Sequence, residues 1–219
     1  MKPKLFEHTL PKKSLNLIEK LNDEIKKNGF YLGGGSGLSL QIGHRISEDL
    51  DFFTNLEFKP EILSRYLERI GDYKETSVSF GTLYCTINGV KLSFIFYNVL
   101  LVYPLINFKK IRVAHWKDIL AEKFKTLSQR GSRKDFYDIY LIILEKKLTI
   151  TDVIKIFKNR FKNTNINYYH ILKSLTYFKE ADNEPDLLLL KDVPWKTVKS
   201  FFTKNIKEFE TAILKGTRI

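Results

Sequence analysis

Hydrophobic residues in the first half of the chain alternate between helical spacing and short continuous runs. Helical spacing, together with Pro60 near the start of one segment, predicts three helices, at 11–28, 37–43 and 59–70. Short apolar runs bounded by glycine or polar residues predict strands, at 30–33, 50–54, 76–87 and 90–97. Asn88-Gly89 between the last two runs is typical of a two-residue hairpin turn. The first half therefore predicts a mixed sheet with helices against it.

The pattern becomes helical after Pro104. Predicted helices lie over 115–127, 132–144, a segment capped by Thr151, 166–178 and 195–214. Ser132, with Asp135 three residues later, is typical of a capped helix start. We therefore expect an α+β (mixed α/β) protein, with a sheet domain over residues 1–110 and a helical C-terminal lobe over 111–219.

The stretch from Leu32 to Phe53 carries the strongest chemical signal. It reads LGGGSGLSLQIGHRISEDLDFF, with a glycine turn after a strand and an Asp-x-Asp pair in the next apolar run. Glycines let backbone N–H groups approach a bulky anion. In a strand, Asp49 and Asp51 would face the same side, where their repulsion favours a shared divalent cation. The combination suggests a metal–nucleotide site.

Two better-known phosphate motifs do not fit this stretch. A P-loop needs a lysine after its last glycine, and neither Gly37 nor Gly43 is followed by one. The spacing of Gly33, Gly35 and Gly37 does not match a dinucleotide fingerprint. A glycine turn alone, or an Asp-x-Asp alone, would be more often an ordinary turn or a solvated pair of carboxylates.

The glycine-serine turn followed by a carboxylate pair resembles the nucleotidyltransferase superfamily signature. The longer run from Gly33 to Phe53 is similar to the AbiEii/AbiGii-type nucleotidyltransferase toxins, which have a polymerase-beta-like fold. This resemblance implies metal-dependent transfer of a nucleotidyl group from an NTP. It also implies that Asp49 and Asp51 bind Mg²⁺ or Mn²⁺. The phosphate-binding residues that it implies are Gly34, Gly35, Ser36, Arg45 and Lys123.

A second part of the resemblance lies in DILAEKFKTLSQRGSRKDFYDIY. The family pattern of a lysine, a basic loop and Lys/Arg-Asp-x-x-Asp maps onto Lys123, Asp135 and Asp138, for which it implies catalytic roles. Lys123 would bind the triphosphate, and an aspartate would orient Lys123 or the acceptor. Asp138 lies in an apolar segment and needs a partner if buried, for which Lys123 is a candidate. Without the resemblance, a solvated Lys123 and a helix-start charge at Asp135 would be the simpler interpretation.

Relatives in the superfamily generally carry a third carboxylate on the strand after the hairpin, and the aligned position here is Ser93. A hydroxyl cannot act as a base at neutral pH without help. The identity of the general base therefore stays open. Arg45 could pair with Asp49 instead of binding a phosphate.

Charge is concentrated in the second half of the chain. Residues 1–108 carry 13 Lys and Arg against 12 Asp and Glu, whereas residues 109–219 carry 24 against 13. This asymmetry predicts a polyanionic acceptor, which the resemblance suggests is tRNA or another RNA. A surface for it is predicted on Lys155, Lys158, Arg160 and Lys162, although a solvated helix face is an equally simple interpretation.

Composition limits the other classes of function. No apolar run is long enough for a membrane span and the start lacks a signal-peptide pattern, so we expect a cytoplasmic protein. The single Cys85 excludes an intrachain disulfide and is expected in the core. The resemblance implies the toxin of a bacterial toxin–antitoxin or abortive-infection (phage-defence) pair, restrained by a separate antitoxin. A kinase-like phosphotransferase acting on a protein partner and a non-catalytic nucleotide-binding module remain the alternatives.

Overall fold

The chain folds into a mixed sheet with flanking helices followed by a set of helices, as seen in a computed structural model that describes residues 4–21 and 23–215. Two units are resolved, the first ending at Trp116 and the second beginning at Lys117. The predicted α+β class is confirmed. The sheet continues beyond residue 110, because Ile111–Val113 is one of its strands.

The first unit contains seven strands within the described residues, β1 Tyr31–Leu32, β2 Leu50–Thr54, β3 Tyr73–Ser79, β4 Thr82–Ile87, β5 Val90–Phe96, β6 Ile106–Phe108 and β7 Ile111–Val113. Their order in the sheet is β3-β4-β5-β2-β1-β7-β6. The central strand β2 runs antiparallel to β1 and parallel to β5. The helices of this unit are α1 Lys12–Lys20, α2 Asp23–Lys27, α3 Gly34–Ile42 and α4 Pro60–Leu67.

Three predictions for this unit were wrong in detail. The predicted helix 11–28 is two helices, because Leu21 has an extended backbone that ends α1. The predicted strand 76–87 is divided between β3 and β4 at Gly81, whose positive φ of 64° makes a second tight turn possible. The hairpin of β6 and β7 lies just before the first predicted helix of the second half, where no strand was predicted. Its strands have only three residues each, too short for a clear alternation.

Alternation along β2 separates the core from the face that carries Asp51. Leu50, Phe52 and Thr54 are buried, whereas Asp51 and Phe53 are half-buried on the opposite side. The Phe52 ring stacks on Phe94 of β5 at 5.2 Å between centroids. This packing fixes the strand and thereby the direction of the Asp51 side chain.

Cys85 is buried in β4, as predicted. Burial raises the pKa of its thiol to about 12, with a smaller contribution from nearby Glu75. The neutral thiol is a poor nucleophile, so Cys85 acts as a core residue.

Between its loops, the described part of the second unit contains helices in the predicted order, with one additional short helix before the last. They are α5 Trp116–Arg130, α6 Arg133–Glu145, α7 Ile150–Arg160, α8 Tyr168–Ser174, α9 Lys179–Asp182 and α10 Trp195–Leu214. Buried rings form its centre, with centroid distances of 5.9 Å for Phe124–Phe209 and 5.2 Å for Phe136–Phe202. Among the described residues, no helix is both long and apolar enough to cross a bilayer.

Of the two predicted helix caps in this unit, the position of Ser132 is confirmed and that of Thr151 is wrong. Ser132 occupies the N-cap position of α6, but its hydroxyl donates to Glu184 at 2.9 Å and makes no capping bond. Helix α7 is capped two residues earlier than expected, by Thr149, whose side chain accepts from the Asp152 N–H at 3.1 Å. The Asp152 carboxylate in turn accepts from the Thr149 N–H at 3.0 Å, which completes a capping box.

Candidate active site

The glycine turn passes directly over Asp51. The Gly33 N–H donates to the Asp51 carbonyl at 2.8 Å, and Gly34 has a φ of +57°. A Cβ placed on Gly34 would lie 2.5 Å from Asp51 Oδ2. Only glycine therefore fits at position 34, both for its left-handed backbone and for its closeness to the carboxylate.

Helix α3 begins at this turn. Its first N–H groups belong to Gly34, Gly35 and Ser36, and an α-helix leaves such groups without intrahelical acceptors. They carry the positive end of the helix dipole, which favours phosphate. The predicted phosphate cradle and the predicted metal-binding Asp51 are thus adjacent.

Ser36 holds the start of α3 against the segment 47–49, which leads into β2. Its hydroxyl is hydrogen-bonded to Ser47 Oγ at 2.9 Å and to the carbonyl of Asp49. Ser36 is almost fully buried. Its side chain is thus engaged within the protein, which leaves the backbone N–H as the group with which it would meet a phosphate.

Arg45 is buried against the glycine turn. A Cβ on Gly35 would lie 2.2 Å from its Nη2, and its Nη1 donates to the Ile46 carbonyl at 3.2 Å. Arg45 is only 5% exposed. Its guanidinium therefore brings positive charge next to Gly35 without being a mobile surface group.

The two aspartates occupy different positions. Asp49 lies just before β2 and is exposed, whereas Asp51 lies within β2 and is half-buried. Leu50 between them is fully buried. Asp49 is therefore not part of the strand, although the predicted strand bounds 50–54 match β2.

Ser93 lies directly beside Asp51. The two residues are register partners in the parallel pair β2–β5, and Ser93 Oγ donates to Asp51 Oδ1 at 2.7 Å. Ser93, which the resemblance aligns with the third carboxylate of relatives, thus contacts Asp51 directly.

The donor set at this turn suits a hard divalent cation. Asp51 Oδ2 points to the glycine turn, and the backbone carbonyl of Asp49 accepts from Ser36 near the start of α3. Across the described ranges, no three His, Cys, Asp or Glu side chains form a group suited to a metal ion. Mg²⁺ is commonly held by one or two carboxylates plus substrate phosphates and water, so the residues present fit such an ion.

In the second unit, Lys123 is clamped between two aspartates. Its Nζ lies 2.6 Å from Asp135 Oδ1 and 2.7 Å from Asp138 Oδ2, and both aspartates are fully buried. Arg130 adds a second cation, with Nε 3.0 Å from Asp135 Oδ2. The predicted partnership of Lys123 with Asp138 is confirmed, and the interpretation of Lys123 as a solvated side chain is wrong.

The charge on Asp135 is maintained despite its burial. Burial alone would raise the pKa of Asp135, but Lys123 and Arg130 more than offset this effect, and the pKa lies below its ordinary value. Asp135 is therefore an ionised member of a buried cluster. It is not the simple helix-start charge that the sequence also allowed.

Several basic residues of the second unit are engaged in internal contacts. Arg133 donates to the carbonyls of Ala181 and Asp182 at 2.8 and 3.0 Å and pairs with Asp186 at 2.7 Å. The Arg133 N–H donates to Glu184 at 2.9 Å. This arginine holds the start of α6 against the segment after α9.

The predicted nucleic-acid surface on α7 needs correction. Arg160 is buried and pairs with Glu122 at 2.9 Å and Asp118 at 3.5 Å. Lys158 donates to carbonyls at the end of α10, including that of Lys215 at 2.7 Å. These cations neutralise buried carboxylates and helix-end carbonyls, so only Lys155 and Lys162 of the predicted four are exposed.

Sequence reasoning missed three residues that shape these sites, namely Ser47, Asp118 and Glu184. Ser47 bonds to Ser36, and Glu184 accepts from Ser132. Asp118 precedes Glu122 by four residues on α5, a spacing that puts both on one helix face and was the available signal. The contacts of Ser47 and Glu184 join distant segments, which periodicity does not reveal.

Solved structures with a similar fold are nucleotidyltransferases. A protein of Helicobacter pylori described as a candidate nucleotidyltransferase has a similar structure, with a TM-score of 0.56 at 16% identity, covering 95% of this chain and all of the other. The nucleotidyltransferase toxin MenT4 of Mycobacterium tuberculosis gives a TM-score of 0.52 at 15% identity, covering 92% of this chain and 90% of the other. At such identities these likenesses establish the fold.

Sequence comparison establishes the family. An uncharacterized protein of Aquifex aeolicus is 33% identical over 210 residues, which cover 91% of this chain and 97% of that protein. The family profile described as "Nucleotidyl transferase AbiEii toxin, Type IV TA system" matches residues 16–214. The chain belongs to the AbiEii family of nucleotidyltransferase toxins.

Proposed function

We propose that this chain transfers a nucleotidyl group from an NTP to an acceptor at Asp49, Asp51 and the start of α3. The observation that carries the proposal is the closeness of Gly34 to Asp51 Oδ2, with the first N–H groups of α3 on one side and a carboxylate on the other. An NTP–metal complex presents anionic oxygens and a cation together. The turn offers a partner for each.

Each residue at the turn has a separate role in the proposal. The N–H groups of Gly34, Gly35 and Ser36 would bind the distal phosphates, and Arg45 would add positive charge beside Gly35. Asp49 and Asp51 would hold Mg²⁺ or Mn²⁺. When bound, the cation neutralises charge on the oxygens around the reacting phosphorus.

A separate proposal concerns the Lys123 cluster and rests on the resemblance to the family. We propose that Lys123 contributes positive charge toward the triphosphate, while Asp135 and Asp138 hold its ammonium in one position. Arg130 is the accessible member of the cluster, since 53% of its side chain is exposed. A lysine fixed by two carboxylates loses little side-chain entropy when it meets a phosphate.

Transfer of label from an NTP tests this function directly. The protein is incubated with each NTP labelled at the α- or the γ-phosphate, with Mg²⁺ or Mn²⁺, and with total RNA and the protein itself as acceptors. Nucleotidyl transfer moves the α-label, whereas a kinase-like phosphotransferase moves the γ-label. Movement of neither label would favour a non-catalytic nucleotide-binding module, an alternative that Ser93 in place of a carboxylate supports.

We further propose an RNA acceptor, with tRNA as the first candidate. The second unit carries 21 Lys and Arg against 13 Asp and Glu between residues 117 and 219. Lys173 lies over the exposed Tyr169 ring at 5.1 Å, a combination of cation and aromatic face that suits unpaired bases. Lys155 and Lys162 add exposed charge nearby in the sequence.

Family membership also supports a role as the toxin of a toxin–antitoxin pair with a separate antitoxin. Expression in bacteria would then arrest growth, and expression with the cognate antitoxin would relieve the arrest. The matched control is Asp51→Asn, which keeps the shape of the side chain. Growth arrest by this variant would contradict an arrest caused by nucleotidyl transfer.

A further inference from the structure

Ser93 is held in one position relative to Asp51. It lies in β5 as the register partner of Asp51 in β2, is 5% exposed, and donates its hydroxyl to Asp51 Oδ1 at 2.7 Å. Both strands are internal to the sheet. The donor is therefore fixed by backbone pairing on both sides of β5.

This hydrogen bond gives the two carboxylate oxygens of Asp51 different surroundings. The terminal torsion of a free aspartate is broad, and either oxygen can face a ligand. Here Oδ1 accepts from Ser93, while Oδ2 points to the glycine turn at Gly34. The oxygen that faces the turn is thus selected before any ligand binds.

We propose that Ser93 is a positioning residue for the metal-binding carboxylate, and that Asp49 and Asp51 bind a divalent cation strongly only together with the NTP. This inference rests on the proposed function. Serine leaves the protein with two carboxylates at the turn, and one oxygen of Asp51 is engaged by the hydroxyl. A six-coordinate cation therefore takes its remaining oxygens from phosphates and water.

A third carboxylate at position 93 would change this balance. It would lie directly beside Asp51, so the two charges would repel each other in the absence of a cation and would hold the cation more strongly when it is present. Ser93 avoids the repulsion. With only two carboxylates, the affinities for the metal and for the nucleotide become coupled. Each ligand then raises the affinity for the other by the same factor.

The test is titration of Mn²⁺, followed by electron paramagnetic resonance, with and without each of the four α,β-methylene NTP analogues. For the wild-type protein we expect weak binding of Mn²⁺ alone and binding roughly tenfold tighter or more with the preferred analogue. Ser93→Asp should bind Mn²⁺ alone more tightly and show a smaller effect of the analogue. Its melting temperature should be lower without metal and should rise more than that of the wild type when Mn²⁺ is added.

Two further variants separate positioning from general stability. Ser93→Ala should reduce the analogue-dependent gain in Mn²⁺ affinity by about three- to tenfold, because Asp51 Oδ2 is no longer held toward the turn. Ser93→Thr keeps the hydroxyl in a residue suited to a strand and should restore the gain. Ser64→Ala is the matched control. It also removes a 2.7 Å hydroxyl hydrogen bond, to Tyr73, from the same unit, and should leave the gain unchanged.

The outcomes are distinguishable. Absence of Mn²⁺ binding by the wild type even with every analogue would overturn both the proposed function and this inference. Nucleotide-dependent binding that is the same in Ser93→Ala and the wild type would overturn only the role of Ser93. Tight binding of Mn²⁺ alone by the wild type would overturn the coupling.

Discussion

Lys123 and Asp138 form a buried ion pair that links α5 to α6, with Nζ 2.7 Å from Oδ2. Only 7% of the lysine side chain and none of the aspartate side chain is exposed. Asp135 lies on the other side of the same ammonium at 2.6 Å. Removal of the lysine would leave two carboxylates facing each other in the interior, so its effect on folding and its effect on catalysis must be measured separately.

We expect Lys123→Ala to lower the free energy of unfolding by about 3–5 kcal/mol, since it leaves buried charge uncompensated. Urea unfolding measures this loss. The exposed Lys155→Ala on α7 is the control and should remain within about 0.5 kcal/mol of the wild type. NTP affinity is measured on the same Lys123→Ala protein under conditions where it is folded, and an unchanged affinity there would contradict the proposed contribution to triphosphate binding.

The stability of the second unit should fall in acid through Asp135. The pKa of Asp135 in the folded state is below its ordinary value of 3.8, so its contribution is complete above that pH. It is lost as the pH falls through the lower folded value. Urea midpoints between pH 6 and pH 2 should show this loss, and Asp135→Asn should be less stable at pH 6 but less sensitive to acid. Equal acid sensitivity in both proteins would assign the loss to other carboxylates.

Asp49→Asn and Asp51→Asn should each abolish transfer of the α-label without disrupting the fold. The amide oxygen at position 51 can still accept from Ser93, so we expect the free energy of unfolding to stay within about 1 kcal/mol. Label transfer and thermal melting are measured on the same preparations. Full turnover in both variants would remove the two aspartates from the proposed site.

Gly34→Ala should abolish transfer because its Cβ would lie 2.5 Å from Asp51 Oδ2 and displace the carboxylate. Gly89→Ala is a matched control. Gly89 also has a positive φ, of 70°, but its Cβ would meet nothing within 4 Å. Both variants should lose about 1–2 kcal/mol of stability from backbone strain, and only Gly34→Ala should lose turnover. Equal turnover in the two variants would show that the closeness of Gly34 to Asp51 is not required.

Lys155→Glu combined with Lys162→Glu should weaken RNA binding and leave binding of free NTP unchanged. Lys158 and Arg160 are left unchanged because they have internal partners. Reversing their charge would destabilise the fold, and a loss of RNA binding would then reflect unfolding. Wild-type affinity for RNA should fall by about a power of ten over a fourfold increase in salt if a few phosphates are contacted.

The charge-matched control for this pair is Lys204→Glu with Lys207→Glu on α10, where both lysines are exposed. A comparable loss of RNA affinity in both double variants would indicate a general effect of net charge. An affinity for RNA that does not depend on salt would contradict a cationic acceptor surface.

The sequence predicted the helices and strands that carry the site better than the contacts between their side chains. Strand β2 and the helix after the glycines could be predicted because alternation and helical spacing are local properties. The resemblance aligned Ser93 with the third carboxylate of relatives, but the pairing of Ser93 with Asp51 was not predicted, since strand register depends on contacts between residues far apart in the chain. The internal roles of Lys158 and Arg160 were not predictable, because a periodic pattern of lysine and arginine is the same whether the charges meet water or buried carboxylates.

Cys85 makes the protein suitable for site-specific spectroscopy without prior removal of its native thiol. At the pH used for maleimide labelling, a buried thiol with a pKa of about 12 remains almost entirely protonated and unreactive. Cysteines introduced at exposed positions, such as Lys91 in the first unit and Lys204 in the second, would then carry the only reporters. A donor–acceptor fluorophore pair at these positions would show whether NTP binding changes the distance between the two units.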